Sequence, residues 1–195
     1  SGSADALEAL GVKIDLGPDG VQKCLEQVGI GFMFAQAFHP AMKYAGPLRP
    51  QIGIRTVFNL LGPLTNPAGA QHQVIGMGDP SAAEKVAQAL SILGTTGALV
   101  VYAEDGMDEI SPEGRSHVFQ ITDGQVSERT VEASDFGLPA QKRSDLTANT
   151  VEESIGLIRG VLEGKNSSNV EQAARTVVVM NTAAGHFNED LMQRM

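Results

Sequence analysis

Cysteine is nearly absent from this sequence, because Cys24 is the only one among 195 residues. A single cysteine excludes an intramolecular disulfide and a cysteine-based zinc site. It is typical of proteins from a reducing compartment, so we expect the chain to be cytoplasmic. Tryptophan is missing and aromatic residues make up only 5% of the chain, whereas glycine contributes 22 residues. This balance favours an α/β fold with many tight connections over an all-β sandwich.

Clustered basic residues and long apolar runs are also lacking. The 14 Lys and Arg residues are scattered and are outnumbered by 23 Asp and Glu residues, which leaves a net charge of −9. Nucleic acid is therefore not expected as a partner, because phosphate backbones are bound by clustered cations. No apolar run approaches the roughly 20 residues that span a bilayer, so no membrane partner is expected. A small phosphorylated substrate stays compatible with this charge, since backbone N–H groups and a divalent cation can hold it.

Several well-known catalytic signatures are missing. The sequence contains no P-loop, no GxGxxG following a strand, no GxSxG elbow and no His/Cys metal cluster. His72, His117 and His186 stand in unrelated contexts, and we interpret them as structural. The chemistry must therefore come from other residues.

Apolar periodicity and turn residues predict alternating helices and strands. Hydrophobic residues make up 42% of the chain, enough for a real core. We predict a single α/β domain over residues 1–195, with a mixed, mostly parallel central sheet and helices packed on it. The predicted helices cover residues 4–10, 18–28, 82–93, 150–163 and 170–184, with two further kinked pieces within 31–48. A turn-rich connection is predicted at residues 58–70. Strands are predicted at 73–78 and 97–105, followed by a hairpin that turns at Asp123-Gly124.

The first candidate site is the acidic pair Asp108-Glu109, just past the strand that ends at Ala103. In open α/β sheets, ligands collect beyond the carboxyl ends of strands. On an extended backbone, adjacent carboxylates point to opposite faces. The pair can therefore share one site only if it lies on a turn, which Gly106 permits. Without a turn, the two carboxylates would hold two different ions. Mg²⁺ suits such carboxylates together with water and phosphate oxygens. From spacing alone, an acidic loop that merely faces water is the more frequent outcome.

The second candidate is the face of a helical segment that ends at Arg49. In a helix, His39, Met42, Gly46 and Arg49 fall within an arc of about 80°. The guanidinium can pair with a carboxylate in bidentate fashion, and Gly46 and Met42 leave room for a flat aromatic acid. Pro47 argues against an unbroken helix. The alternative is a surface arginine beside a partly buried histidine.

Two weaker candidates are small-residue turns. Ser3, in a Ser-Gly-Ser turn before a helix, can offer a hydroxyl and unpaired N–H groups to a phosphate, or can serve as a plain helix cap. Pro63, with Gly62 and two nearby asparagines, can form the rigid wall of a pocket. A structural turn is the favoured alternative at Pro63.

Four segments in this order and spacing, SGSADALEALG, HPAMKYAGPLR, FNLLGPLTNPA and GMDEIS, resemble the α/β domain of anthranilate phosphoribosyltransferases. The resemblance runs from Ser1 to about residue 140. It implies the large-domain fold of nucleoside phosphorylases and phosphoribosyltransferases. It also implies an activity in tryptophan biosynthesis, in which the ribosyl group of 5-phosphoribosyl 1-pyrophosphate is joined to anthranilate and pyrophosphate is released.

The resemblance also implies residue roles. Ser3 would contact the phosphoribosyl substrate and Arg49 would hold anthranilate. Asp108 and Glu109 would bind Mg²⁺. His39 and Pro63 would line the path of the aromatic acid. No separate catalytic acid or base is assigned, because positioning and the metal would carry the reaction, and the full-length form would be a homodimer.

Parts of the family pattern are missing from this sequence. The glycine-rich GTGGD loop, the KHGN segment before SGSAD and the N-terminal helical domain that would supply the dimer contact are absent. We therefore interpret the chain as a domain truncated at its N-terminus and at its C-terminus. Two alternatives stay open: an enzyme like the pyrimidine nucleoside phosphorylases, and a non-catalytic domain that binds a phosphosugar or magnesium.

We expect this 195-residue chain to fold but to show little or no activity alone, because segments that touch both substrates in the family are missing. A steady-state assay of pyrophosphate release in the presence of Mg²⁺ checks this. Turnover near that of a full-length enzyme would contradict the expectation.

Overall fold

The computed structural model describes residues 3–38 and 58–186 of the chain. These residues divide into two compact units. One unit comprises residues 3–38 and 148–156, and the other comprises residues 58–147 and 157–186.

The first unit is helical where it is described. It contains α1 (Ser3–Ala9), α2 (Pro18–Val28), α3 (Ala35–Phe38) and the start of α6 (Val151–Leu162). The predicted bounds of α2 are confirmed, because both ends carry local signals. Pro18 begins the helix with a preset φ, and Gly29 ends it in the left-handed conformation at φ 83° while its N–H donates to the carbonyl of Leu25. Most of the predicted kinked segment 31–48 lies outside the described residues.

The second unit contains the sheet. Its elements are α4 (Phe58–Leu64), β1 (His72–Gly76), α5 (Pro80–Ile92), β2 (Gly97–Ala103), β3 (Ser116–Thr122), β4 (Gln125–Val131), two 3₁₀ turns (Ala133–Phe136 and Arg143–Leu146), the end of α6, and α7 (Asn169–Gly185). No described helix combines the length and the apolar character needed to cross a bilayer.

One segment differs from its prediction. Residues 58–64 form the helix α4 where a turn-rich connection was expected, so the interpretation of Pro63 as part of a plain turn is wrong. Pro63 has a backbone φ close to the helical value but no N–H to donate to the carbonyl four residues earlier, and the helix ends one residue after it. The hydroxyl of Thr65 donates to the carbonyl of Leu61 at 2.9 Å and satisfies one of the open carbonyls of the last turn.

The strand order is β1-β2-β3-β4. The pair β1–β2 is parallel, and the pairs β2–β3 and β3–β4 are antiparallel. The mixed α/β sheet is therefore confirmed, but the expectation of a mostly parallel sheet does not hold for these four strands. The predicted hairpin explains part of the difference, since Asp123 and Gly124 have φ 48° and 76° and reverse the chain between β3 and β4.

Strand β2 is buried on both faces. Alternate residues point to opposite sides, so Ala98 and Val100 pack with α5 while Leu99 and Val101 pack beneath α7. In the second core, Met180 of α7 is fully buried. The strand consequently reads as one continuous apolar run rather than as an alternating one.

We expect Leu99→Ala to lower the free energy of unfolding by about 2–5 kcal/mol, because it leaves a cavity in the core beneath α7. Leu99 is 1% exposed. Urea unfolding followed by circular dichroism measures the loss. Ile92→Ala is the matched control, since Ile92 is 86% exposed and its truncation should change stability by less than about 0.5 kcal/mol. Equal effects of the two substitutions would contradict the assignment of this core.

Candidate functional site

A tightly folded loop, residues 104–115, leaves the carboxyl end of β2. It begins with a turn in which Gly106, at φ 88°, donates to the carbonyl of Ala103. One oxygen of Asp105 accepts from the N–H of Met107 at 3.0 Å, and the other accepts from the hydroxyl of Ser111 at 2.6 Å. The N–H of Ser111 donates in turn to Oγ of buried Ser116 at 2.9 Å. The Asp105 side chain therefore organises the loop from within.

The predicted acidic pair lies on a bend in the middle of this loop. Asp108 and Glu109 are both exposed, whereas the next residue, Ile110, is 1% exposed. The required turn is present, so the two carboxylates are not forced to opposite faces of an extended strand. Among the described residues, neither carboxylate accepts a hydrogen bond or forms an ion pair with a basic side chain. Both are available to a ligand.

The electrostatics of the pair are those of two like charges. Partial loss of hydration around the Glu109 carboxylate, and after it the negative charge of Asp108, raises the pKa of Glu109 above the usual glutamate value. The Glu109 side chain is exposed by its surface area, so solvent screens part of the repulsion from Asp108. A cation placed beside the pair would relieve the repulsion.

The donor set fits magnesium better than a metal enclosed by protein ligands. Within residues 3–38 and 58–186, no group of three or more His, Cys, Asp or Glu side chains gathers as a metal site. Mg²⁺ is commonly held by one or two carboxylates while water and substrate phosphates complete its octahedron. Asp108 and Glu109 match that requirement.

The loop approaches β1 very closely. A Cβ built on Gly76, the last residue of β1, would lie 1.7 Å from the backbone oxygen of Asp108. No side chain fits at this position, so glycine is required by close approach rather than by an unusual backbone angle. Because β1 and β2 are parallel, their carboxyl ends lie at the same edge of the sheet, and this edge carries the acidic pair.

A side chain from α7 binds the backbone just after the acidic pair. Oδ1 of Asn181 accepts from the N–H of Ile110 at 2.9 Å, and Nδ2 of Asn181 donates to the carbonyl of Ile110 at 3.0 Å. The same Nδ2 also donates to the carbonyl of Val177 at 2.9 Å. A single amide therefore pairs with both backbone groups of the residue that follows Glu109.

Arg143 contacts the loop from the second 3₁₀ turn. Its guanidinium donates to the backbone carbonyl of Asp105, and its backbone N–H donates to the carboxylate of Glu113 at 2.8 Å. Gln141 adds a bond from its N–H to the carbonyl of Pro112 at 2.8 Å. These contacts hold the outer part of the loop in place.

Of the other predicted site residues, two lie within the described part of the chain. Ser3 is the exposed first residue of α1, in the helical unit. Pro63 is half-buried in the last turn of α4, in the sheet unit. His39 and Arg49 lie outside the described residues. Among the predicted residues, the structure thus brings together Asp108 and Glu109.

Sequence reasoning missed Gly76 and Asn181. Gly76 carries a weak signal, since a glycine inside an apolar strand often marks a close approach of backbone. Asn181 carries none, because it stands 71 residues after Ile110 in a helix whose pattern does not set it apart. His117 was interpreted as structural, and its Nε2 and Nδ1 lie 3.2 Å from Glu104 and 3.3 Å from Glu128.

The fold and this loop define a class: an α/β domain whose acidic loop follows an inner strand of a mixed sheet. Comparison with known proteins agrees and goes further. Residues 1–195 match the glycosyl transferase family, a/b domain, and the chain belongs to that family.

Particular relatives are anthranilate phosphoribosyltransferases. The one from Herpetosiphon aurantiacus is 50% identical over 184 residues, which cover 94% of this chain and 53% of that protein. The one from Roseiflexus sp. (strain RS-1) has the same identity and coverage. The chain spans about half the length of the curated relatives it matches.

Solved structures of anthranilate phosphoribosyltransferases share the fold of this chain. The enzyme from Thermus thermophilus superposes with a TM-score of 0.84 at 37% identity, over 98% of this chain and 56% of that one. The Saccharomyces cerevisiae enzyme in complex with PRPP and Mg gives a TM-score of 0.83 at 28% identity, over 94% of this chain and 50% of that one.

The raised pKa of Glu109 predicts a pH-dependent stability difference. A carboxyl that binds its proton more tightly in the folded chain contributes stability at low pH, and that contribution is lost as the pH rises through its folded-state pKa. In metal-free buffer, we expect Glu109→Gln to have a higher Tm than the unmodified chain at about pH 7. The difference should vanish at about pH 3, well below the ordinary glutamate pKa, where the glutamate is protonated in both states.

Thermal unfolding at both pH values, in the presence of a chelator, measures this. Asp123→Asn is the control, because it removes one charge at a hairpin turn where asparagine also tolerates the backbone angles. A Glu109→Gln variant that is less stable at neutral pH would contradict the prediction.

Proposed function

We propose that this chain is the α/β part of an anthranilate phosphoribosyltransferase, which transfers the 5-phosphoribosyl group of 5-phosphoribosyl 1-pyrophosphate to the amine of anthranilate and releases pyrophosphate. The observation that carries the proposal is the pair Asp108-Glu109, presented on a fixed bend at the carboxyl edge of the sheet. The family match over residues 1–195 supports treating the whole chain as one such domain.

Asp108 and Glu109 would hold magnesium at this edge. When bound, the metal would supply positive charge to the diphosphate of the substrate, where negative charge grows as the bond to the sugar breaks. The protein's part is to present two carboxylates in a fixed direction. Loss of hydration, and after it the negative charge of Asp108, raises the pKa of Glu109, and a cation bound by the pair would offset the repulsion.

Ser3 would contact the phosphoribosyl group through its hydroxyl, because this residue is exposed at the start of α1. Arg49 would grip the carboxylate of anthranilate through a bidentate pair of N–H donors. His39 and Pro63 would line the path of the aromatic ring. These four assignments stay predictions.

Little acid–base chemistry is needed for this reaction. The aromatic amine is a competent nucleophile, so most of the barrier would be lowered by bringing two substrates into line and by neutralising the leaving group. Well-oriented reactants gain up to about 7–11 kcal/mol from proximity alone. This accounts for a site made of binding residues with no dedicated general base.

The remaining features of the proposal follow from the same family. They are a place in tryptophan biosynthesis, a cytoplasmic location, small molecules as the only substrates, and a homodimeric full-length form.

Ligand binding provides the first test. We expect the Tm of the chain to rise with 5-phosphoribosyl 1-pyrophosphate and Mg²⁺ together, by the linkage between binding and unfolding, and not to rise with pyrimidine nucleosides. Asp108→Asn combined with Glu109→Gln should abolish the magnesium-dependent part of the rise. Asp123→Asn, which removes one charge outside the loop, should keep it.

Activity provides the second test. Pyrophosphate release should appear when the amino-terminal half of a relative is supplied in trans together with anthranilate, 5-phosphoribosyl 1-pyrophosphate and Mg²⁺. A stabilising response to pyrimidine nucleosides with phosphate, and none to anthranilate, would instead identify a nucleoside phosphorylase-like domain. Unchanged magnesium dependence in the double variant would refute the role of the acidic pair.

A further inference from the structure

We propose that Asn181 and Gly76 are positioning residues that together set the direction of the Asp108 and Glu109 carboxylates. The inference rests on the proposed function, because it assigns to two residues outside the loop the task of preparing its metal site. Neither residue touches a substrate in this proposal. Each acts on one of the two peptide groups that flank Glu109.

The peptide group after Glu109 is held by Asn181. The N–H of Ile110 belongs to this peptide, and it donates to Oδ1 of Asn181 at 2.9 Å. The carbonyl of Ile110 accepts from Nδ2 at 3.0 Å, so the side-chain amide pairs with Ile110 as a neighbouring β-strand would. The Ile110 side chain is itself 1% exposed and anchors the same residue in the core.

The orientation of the Asn181 side-chain amide is itself fixed by hydrogen bonds. Nδ2 also donates to the carbonyl of Val177, one turn earlier in α7. Nδ2 therefore faces two carbonyls while Oδ1 faces an N–H, and the opposite orientation of the amide would lose all three hydrogen bonds. The helix around it is anchored by Met180, which is fully buried, and by Ala184, which is 2% exposed. The Asn181 amide thus acts as a clamp on the backbone of Ile110, and this clamp belongs to a helix anchored in the core rather than to a loop.

The peptide group before Glu109 lies directly against Gly76. The backbone oxygen of Asp108 belongs to this peptide, and it occupies the place where a side chain on Gly76 would start, 1.7 Å from the ideal Cβ position. Strand β1 therefore accepts the loop only because residue 76 has no side chain. The strand is in turn paired with β2 along its whole length.

Fixing the peptide planes on both sides of Glu109 leaves its two backbone torsions little freedom. The direction of its Cα–Cβ bond, and that of the neighbouring Asp108, then follows from β1 and α7. Two adjacent like charges in an exposed loop would otherwise favour separation of the carboxylates. Residues that orient metal ligands commonly change metal affinity by about 10–100-fold when they are removed.

Substitution of Asn181 tests the first half of the proposal. Asn181→Leu keeps a similar shape and removes all three hydrogen bonds. We expect the Kd of Mn²⁺ in the presence of inorganic pyrophosphate, measured by electron paramagnetic resonance, to rise about tenfold or more. In metal-free solution, hydrogen exchange at the Ile110 amide should accelerate, which reports on the clamp without any metal.

The control must lose stability in the same helix without touching the loop. Ser168→Ala does this, because Ser168 caps α7 and its Oγ accepts from the N–H of Glu171 at 3.2 Å. We expect Ser168→Ala to lower the Tm while Mn²⁺ affinity and exchange at Ile110 stay unchanged. Equal loss of Mn²⁺ affinity in both variants would overturn the positioning role of Asn181 and leave only a structural one.

Substitution of Gly76 tests the second half. Gly76→Ala places a methyl group against the Asp108 carbonyl and should weaken Mn²⁺ binding about tenfold or more while the protein stays folded. Gly114→Ala is the matched control in the same loop, because a Cβ at Gly114 meets no atom within 4 Å. Full Mn²⁺ affinity in Gly76→Ala would overturn this half.

Mn²⁺ binding by the unmodified chain distinguishes failure of the proposed function from failure of the positioning inference. If it fails to bind Mn²⁺ with pyrophosphate, the metal site of the proposed function is wrong and the positioning inference falls with it. If it binds and Asp108→Asn weakens the binding, but Asn181→Leu and Gly76→Ala do not, the proposed function stands and the positioning inference alone is refuted.

Discussion

Burial of β2 on both faces is the constraint on which the rest of the sheet unit depends. A strand with apolar side chains on both faces needs a helix packed on each face, and α5 and α7 are these two helices. The cover by α7 places Met180 in the core and, one residue later, puts the amide of Asn181 beside the loop that leaves β2. The same packing that removes apolar surface from water therefore supplies the clamp on the acidic pair.

The acidic pair is an electrostatic cost in the free chain. Two adjacent carboxylates repel each other in a protein that already carries a net charge of −9, and neither has a basic partner among the described residues. Such a cost is typical of a functional position rather than of a stabilising one. Under the proposed function, a divalent cation that arrives with a diphosphate would turn the repulsion into attraction and would allow an acidic domain to bind an anionic substrate.

Local signals predicted much of the fold. Pro18 and Gly29 set the ends of α2, Asp123-Gly124 sets the hairpin, and the apolar run of β2 marks an inner strand, because each depends on backbone chemistry within a few residues. The helix α4 was missed because its glycine and proline resemble a turn, while its helical state depends on how the segment packs. The antiparallel pairing of β2 with β3 was also missed, since strand direction depends on where the loop between them returns.

The sequence by itself determined the chemistry available to this protein: a family pattern over its length, carboxylates at Asp108 and Glu109, a single cysteine and an α/β arrangement of apolar segments. Only the tertiary structure decided that Gly76 must lack a side chain and that Asn181 holds the backbone beside Glu109. Residue types and short-range spacing can be read from the sequence without knowledge of the fold. A contact between residues 71 positions apart exists only after the cores on both sides of β2 have formed.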